Sequence, residues 1–407
     1  MSRREILRDG GIRALVTGEA ISIAGSQMTY IVLPWFVLTT TGSAVRTSIV
    51  VAAELAPVAF LGLASGAIVS RLGARRTMLV SDAVRFVLLG AIPTLHLLDA
   101  LSFPLLVALV FCVGAFMVPH ATAQRVIVPE LVGEDEARVG EVQALIQVGW
   151  AVAGIAGPAI GGVLIGVVGE TNVLFIDAGS YALSALLLGA WVRPRHHAEV
   201  AEDDVTGVVA GVRFLFRDDL LRVWMLSITG LNVVWSAFGV MFPVLVLERY
   251  GDRPEILGWI FGGFGVGAIV GSLASFGVIA RLDRILLASS AAAGQTAVLW
   301  ILLPDLPWTA VAGAAIVTGV FSPMLNSTVI TIRTMRTPPV LRPSVHAAAV
   351  TVALVLAPIG ALSVGPLLNV FGLEVAVGAV LALNTLCGIA FVGAGLRERR
   401  VLATAPS

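Results

Sequence analysis

Lysine is missing altogether from these 407 residues, and all 26 basic residues are arginine. A phosphate-binding loop of the GxxxxGK(S/T) type needs its lysine on the phosphates, so the chain is not itself an ATP-driven pump of that class. Charge is scarce too: 13% of residues are Asp, Glu or Arg, and the formal net charge is zero, which gives a nucleic-acid partner no electrostatic footprint. There are two cysteines, Cys112 and Cys387, far apart and each inside an apolar run, so no disulfide framework is implied. His196 and His197 are adjacent, and neither helical nor strand spacing turns both toward one metal. His120 stands alone in an apolar stretch and reads as a packed, hydrogen-bonded histidine. Neither a G-x-S-x-G elbow nor an H-E-x-x-H motif occurs, which leaves no hydrolase signature, and no metal or other cofactor is expected.

Apolar chain fills the space that these absences leave. Hydrophobic residues make up 57% of the sequence, and the mean hydropathy is +0.96, far outside the soluble range. About 20 apolar residues cross a bilayer as a helix. Stretches of that kind lie near 12–40, 44–68, 77–98, 102–124, 140–168 and 171–192. After a polar break they resume near 221–247, 256–280, 285–303, 307–331, 345–370 and 373–396. The expected fold is therefore all-α and membrane-embedded, with twelve spans in two six-helix bundles. The bundles would comprise residues 1–192 and 221–407, and the first span reads as an uncleaved one. Residues 193–220 form the linker. Within it Val205, Val208, Val209, Val212 and Phe216 recur at helical spacing after Asp203 and Asp204, which predicts a capped helix along the membrane surface.

Arginine placement orients the chain. Twelve spans put 22 arginines on the side of the N-terminus and three (Arg46, Arg249, Arg253) on the other, with Arg85 inside a span. Basic residues favour the cytoplasmic side, so both termini are expected there. The two halves also echo one another. Pro119, Arg125 and Pro129 in the fourth span and after it match Pro323, Arg333 and Pro338 around the tenth, as parallel six-span repeats would.

The turn between spans 2 and 3 reads Gly66-Ala67-Ile68-Val69-Ser70-Arg71-Leu72-Gly73-Ala74-Arg75-Arg76. It resembles the loop signature of the major facilitator superfamily: a glycine, an acid and a base, a second glycine, then paired bases. Ser70 stands where the acid is usual. Further segments resemble the bacterial macrolide and enterobactin exporters of that superfamily. They are Thr41-Gly42-Ser43, Asp82 with Arg85, Pro129-Glu130-Leu131-Val132, Asp177, and Gly211 through Asp218. In span 5, Gly154, Gly157, Pro158, Gly161 and Gly162 look like part of the glycine motif associated with exporters. The arginine that many drug–proton antiporters carry in span 4 is absent.

An ionised group in hydrocarbon costs at least about 2.5 kcal/mol on insertion scales, so each is a functional candidate. Glu54, then Glu19, are the first candidates for proton coupling, with Asp177 behind them; for each the alternative is a static pore-lining or helix-end acid. Asp82 and Arg85 are three apart on one helix face and are expected to pair near an inner gate made by Gly66, Ser70, Arg71, Gly73, Arg75 and Arg76. Gln27, Trp35, Asn232, Trp235, Gln295, Asn326 and Asn384 are candidates for a central cavity, against interhelical bonding or packing as the alternative. Trp150 and Trp259 could also face an amphipathic ligand, whereas Trp191, Trp224 and Trp308 read as interface anchors. The resemblance implies a monomeric secondary transporter in a bacterial cytoplasmic membrane. Its partners would be a hydrophobic or amphipathic small molecule such as an antibiotic or siderophore, protons and lipid. A solute importer of the same fold, or a membrane scaffold or sensor, are the rival readings.

Overall fold

The computed structural model describes residues 9–133, 135–194, 205–278 and 282–404, and every regular element among them is helical. In lipid each backbone N–H and C=O must be satisfied within the segment, which a helix does and an open strand cannot. Residues 10–191 form α1 (Gly10–Thr41), α2 (Ala44–Leu72), α3 (Ala74–Leu97), α4 (Phe103–Val132), α5 (Glu136–Val168) and α6 (Glu170–Trp191). A short α7 (Val205–Arg217) precedes α8 (Asp219–Tyr250), α9 (Glu255–Val278), α10 (Arg284–Leu299) and α11 (Trp308–Arg336). The chain ends in α12 (Arg342–Leu354) and α13 (Ala357–Thr404). Among the described residues, ten helical segments are long and apolar enough to cross a membrane.

Aspartates open several of these helices by accepting orphan backbone N–H groups. Asp9 accepts from Gly11 and Ile12, Asp135 from Ala137, Asp218 from Leu221 and Asp283 from Leu286. At the other end of the chain, α13 (Ala357–Thr404) runs 48 residues without a loop. That is far more helix than one bilayer needs. Gly372, at φ 77° and ψ 176°, breaks it, a backbone state that only glycine adopts freely. This break falls at the expected boundary between the eleventh and twelfth spans.

The chain divides into two compact units. The first holds residues up to 42 and 49–203; the second holds 43–48 and 204–407. In unit 1, α1 packs against α5 and α6, and α3 against α4 and α6. A core of Leu15, Met78, Ile127, Val142 and Leu188 joins these helices. In unit 2, α8 packs on α13 and α9 on α11. There Trp224 stacks on Phe391, with ring centroids 4.5 Å apart, and its indole N–H donates to the Phe391 carbonyl. Trp224 is thus a core residue and not the interface anchor its helix-end position implied.

Helix α7 forms within the linker as expected of its spacing. Its Leu215 is fully buried among Leu221, Met225, Val345, Ala348 and Ala349, so α12 and α8 cover this face. Gly211 permits the approach, because a Cβ there would collide with the Ser344 carbonyl. The expected caps Asp203 and Asp204 lie outside the described residues.

Candidate functional site

Four helices of unit 1 bring a connected set of polar side chains into its interior. From α1 come Glu19, Ser26 and Thr29; from α3, Asp82 and Arg85; from α4, His120 and Gln124; from α6, Asp177, Ser180 and Tyr181. His120 Nε2 and Glu19 Oε1 are 2.9 Å apart, and Gln124 Nε2 donates to the other oxygen of Glu19 at 2.5 Å. The second imidazole nitrogen, Nδ1, lies 3.2 Å from Asp82 Oδ1, an ion-pair distance without hydrogen-bond alignment. Glu19, Asp82 and His120 are all buried. The imidazole therefore stands between two carboxylates on different helices.

Arg85 continues the chain of contacts. Its guanidinium lies over the Tyr181 ring, 3.9 Å from the centroid, and Nη2 donates to the phenol oxygen at 2.5 Å and to Ser26 Oγ at 3.3 Å. The expected Asp82–Arg85 pair is present but stretched, at 3.9 Å. Arg85 bonds mainly across to α1 and α6, while Asp82 turns toward His120. Asp177 accepts from Thr29 Oγ1 at 2.5 Å and from Ser180 Oγ at 3.0 Å. It is the eighth residue of α6, fully buried, so the favourable end of the helix dipole expected for it lies too far away to stabilise it. Gly25 makes the approach of α1 to α6 possible: a Cβ there would overlap Asp177 Oδ1 and Ser180 Oγ. Half-buried Glu54, on α2, is within electrostatic reach of Asp177 and Arg85.

Four carboxyl groups thus share this interior with one arginine and one histidine. Even with the imidazole protonated, full ionisation would leave two negative charges uncompensated. Buried uncompensated charge is expensive, and proton uptake is the chemistry that relieves it. The arrangement can bind and release protons, and hydrogen-bonded neighbours on four helices would register the change.

Sequence reasoning found Glu19, Asp82, Arg85 and Asp177 but treated His120 as solitary and passed over Gln124, Tyr181, Ser26 and Thr29. A signal for them exists. His120 and Gln124 are four apart on α4, and Asp177, Ser180, Tyr181 and Ser184 follow i, i+3, i+4, i+7 on α6. A polar stripe at helical spacing in an apolar helix marks a face turned away from lipid.

The remaining candidates scatter. Gln27 packs against α5, where a Cβ on Gly157 would crowd its own Cβ and one on Gly154 would touch its amide. The exporter-type glycines are accordingly a close-packing seam between α1 and α5, and Gly161 meets Met28 on the same seam. Trp35 is buried. Asn232 and Asn326 donate to carbonyls of their own helices, at Ile228 and Ser322. Gln295 and Asn384 are buried, and Trp235 lines an aromatic cavity in unit 2. In the loop signature, Arg75 donates to the Val192 and Gly189 carbonyls and so closes the end of α6, while Ser70, Arg71 and Arg76 are exposed. Gly73 is needed for its backbone, at φ 79° and ψ 149°; a Cβ there would meet nothing within 4 Å.

Ionisable groups held inside a helical membrane bundle mark a functional site such as an ion or solute pathway. The chain belongs to the Major Facilitator Superfamily, whose family model matches residues 15–361. It is 30% identical to the multidrug efflux pump Tap of Mycolicibacterium fortuitum over 86% of this chain and 87% of that one. Against the multidrug efflux pump Tap of Mycobacterium tuberculosis it is 29% identical, over 90% and 89%. In fold it resembles the nucleoside transporter NupG, with a TM-score of 0.74 at 11% identity, over 94% of this chain and 98% of that one. A bacterial homologue of the iron transporter ferroportin gives 0.72 at 14%, over 97% and 100%. The family, the bacterial relatives and the apolar helices make this a multi-pass protein of the bacterial inner membrane.

Proposed function

We propose that the protein is a proton-coupled exporter of hydrophobic or amphipathic small molecules, working without covalent chemistry on its cargo. Export is supported by the relatives named as multidrug efflux pumps, which match along nearly the whole chain. The buried set Glu19–His120–Asp82 with Arg85 carries the coupling assignment, since a protein that only lets solute pass has no use for such groups in its interior. Twelve spans with both termini in the cytoplasm, and two six-helix bundles joined by the 193–220 linker, complete the reading. The bundles rock as units, and a monomer suffices for the cycle. Protons entering the acid–histidine cluster and leaving on the other side would bias which conformation is favoured.

The test is transport in proteoliposomes with an imposed pH gradient. Addition of an exported compound should trigger proton movement in the opposite direction, and accumulation should collapse when the gradient is dissipated. Accumulation that follows sodium instead, or flux indifferent to both gradients, removes the proton-coupled reading.

A further inference from the structure

Asp82 and Arg85 stand three apart on α3, a spacing at which opposite charges ordinarily pair. Here the pair is left open. Nη1 of Arg85 comes no nearer than 3.9 Å to Oδ1 of Asp82. Both carboxylate oxygens of Asp82 and Nε of Arg85 are buried with no hydrogen-bond partner among the described residues. A turn of the arginine side chain back along its own helix would bring them together. Buried polar atoms left unpaired call for a specific cause.

The cause lies on α6. The guanidinium is stacked over the Tyr181 ring, 3.9 Å from its centroid, and Nη2 donates to the phenol oxygen at 2.5 Å. The phenol is itself anchored. Its oxygen lies 2.8 Å from Ser26 Oγ, and Ser26 donates to the Ser22 carbonyl at 2.9 Å. A serine hydroxyl has one hydrogen, which Ser22 takes, so Ser26 can only accept from Tyr181. The phenol hydrogen then points to Ser26 and leaves the phenol oxygen to accept from Arg85. One assignment of hydrogens therefore satisfies every contact from the guanidinium to the backbone of α1. Tyr181 is buried, so water does not compete for these contacts.

We propose that Tyr181 is a positioning residue: it holds Arg85 off Asp82, so that the cation facing this aspartate is an imidazole that can lose its charge. The charged or titratable groups around the pair are His120 from α4, Glu19 from α1, Glu54 from α2, and Asp177 with Tyr181 from α6. Arg85 alone carries a charge that never changes. Paired directly with Asp82, it would compensate that carboxylate at every pH and leave His120 little to respond to. Held over Tyr181 it stays 3.9 Å away, and His120 Nδ1 is the nearer partner at 3.2 Å. The consequence for transport rests on the proton-coupled reading above; the positioning does not.

The experiment is a potentiometric difference titration of the full-length protein purified in detergent, with no substrate and no gradient. Wild type and Tyr181→Phe are each compared with the same chain carrying His120→Asn, and the difference is the proton uptake that depends on the imidazole. Phenylalanine keeps the ring and removes the hydroxyl that anchors Arg85. A guanidinium freed to reach Asp82 stabilises the carboxylate and repels a proton from the imidazole. In Tyr181→Phe the uptake should therefore move about one pH unit toward acid, an about tenfold loss of proton affinity. In chains carrying Asp82→Asn the same substitution should leave it in place, since the carboxylate that Arg85 would turn to is gone. A tyrosine that served only packing would lower stability without moving the uptake. Uptake unmoved by Tyr181→Phe, or moved equally with and without Asp82, overturns the proposal. Where Tyr181→Phe does not fold, Ser26→Ala, which frees the phenol from α1, should move the uptake in the same direction; an unmoved profile again overturns it. Displaced uptake together with flux indifferent to a pH gradient would remove proton-coupled export and leave the role of Tyr181 standing. Unmoved uptake with gradient-driven flux would do the reverse.

Discussion

His120 on α4 and Glu19 on α1 meet at 2.9 Å in the interior of unit 1, a contact between residues 101 positions apart. Through the other face of the imidazole the same contact extends to Asp82 on α3. A proton arriving at any of the three changes the charge seen by helices α1, α3 and α4 together. In the proposed cycle this would give the cluster its leverage over conformation.

Removing the imidazole should uncouple transport while sparing the pathway. His120→Asn is expected to lower uphill accumulation about tenfold or more, equivalent to about 1.4 kcal/mol of lost coupling, with downhill exchange retained. Glu19→Gln should do the same, because it resembles a permanently protonated carboxyl. Glu54→Gln, at the edge of the network, is expected to alter substrate binding and reduce accumulation. Proteoliposome flux with and without a pH gradient separates these outcomes. Coupling unchanged in the Glu19→Gln/Glu54→Gln double variant would shift the role to Asp82 or Asp177.

Gly25 should tolerate no side chain. In Gly25→Ala the added methyl would overlap Asp177 and Ser180, forcing α1 and α6 apart at a cost of about 1–3 kcal/mol. Thermal unfolding of the purified protein in detergent should register the loss. Ser180→Ala in the same chain removes one of the two colliding atoms and should recover part of it. Equal stability of Gly25→Ala and wild type would contradict the close packing.

The loop between α2 and α3 yields a prediction that separates strain from bulk. With φ at 79° and ψ at 149°, Gly73→Ala and Gly73→Leu should be destabilised similarly, by about 1–3 kcal/mol, since the penalty is in the backbone. A much larger effect of leucine than alanine on transport would point instead to side-chain bulk at this turn. Ser70→Asp, on an exposed position beside Arg71, should leave transport working.

Topology can be tested directly from the arginine asymmetry. A reporter fused after Ser407 should be active only in the cytoplasm, and one inserted at Gly251, in the turn between α8 and α9, only outside. External activity of the C-terminal fusion would remove the model of twelve spans.

The length and apolarity of its segments were enough to make this chain a helical membrane protein, because a continuous apolar run of about 20 residues satisfies its own backbone in lipid as a helix. The loop signature and the order of motifs carried the superfamily, and the isolated carboxylates announced themselves by their cost in hydrocarbon. Partners were another matter. Nothing local says that His120 lies between Glu19 and Asp82, or that Arg85 favours Tyr181 over the aspartate three residues away; α1, α3, α4 and α6 had to be packed first. The glycines at 25, 157 and 161 were visible as glycines, but only the packed helices show what each one admits. Trp224 looked like an anchor from its place near a helix end and is a core residue because Phe391 arrives from 167 positions away. Helical periodicity fixes which side chains share a face; which faces meet, and therefore which charges and hydroxyls find partners, is decided by packing between segments distant in the chain.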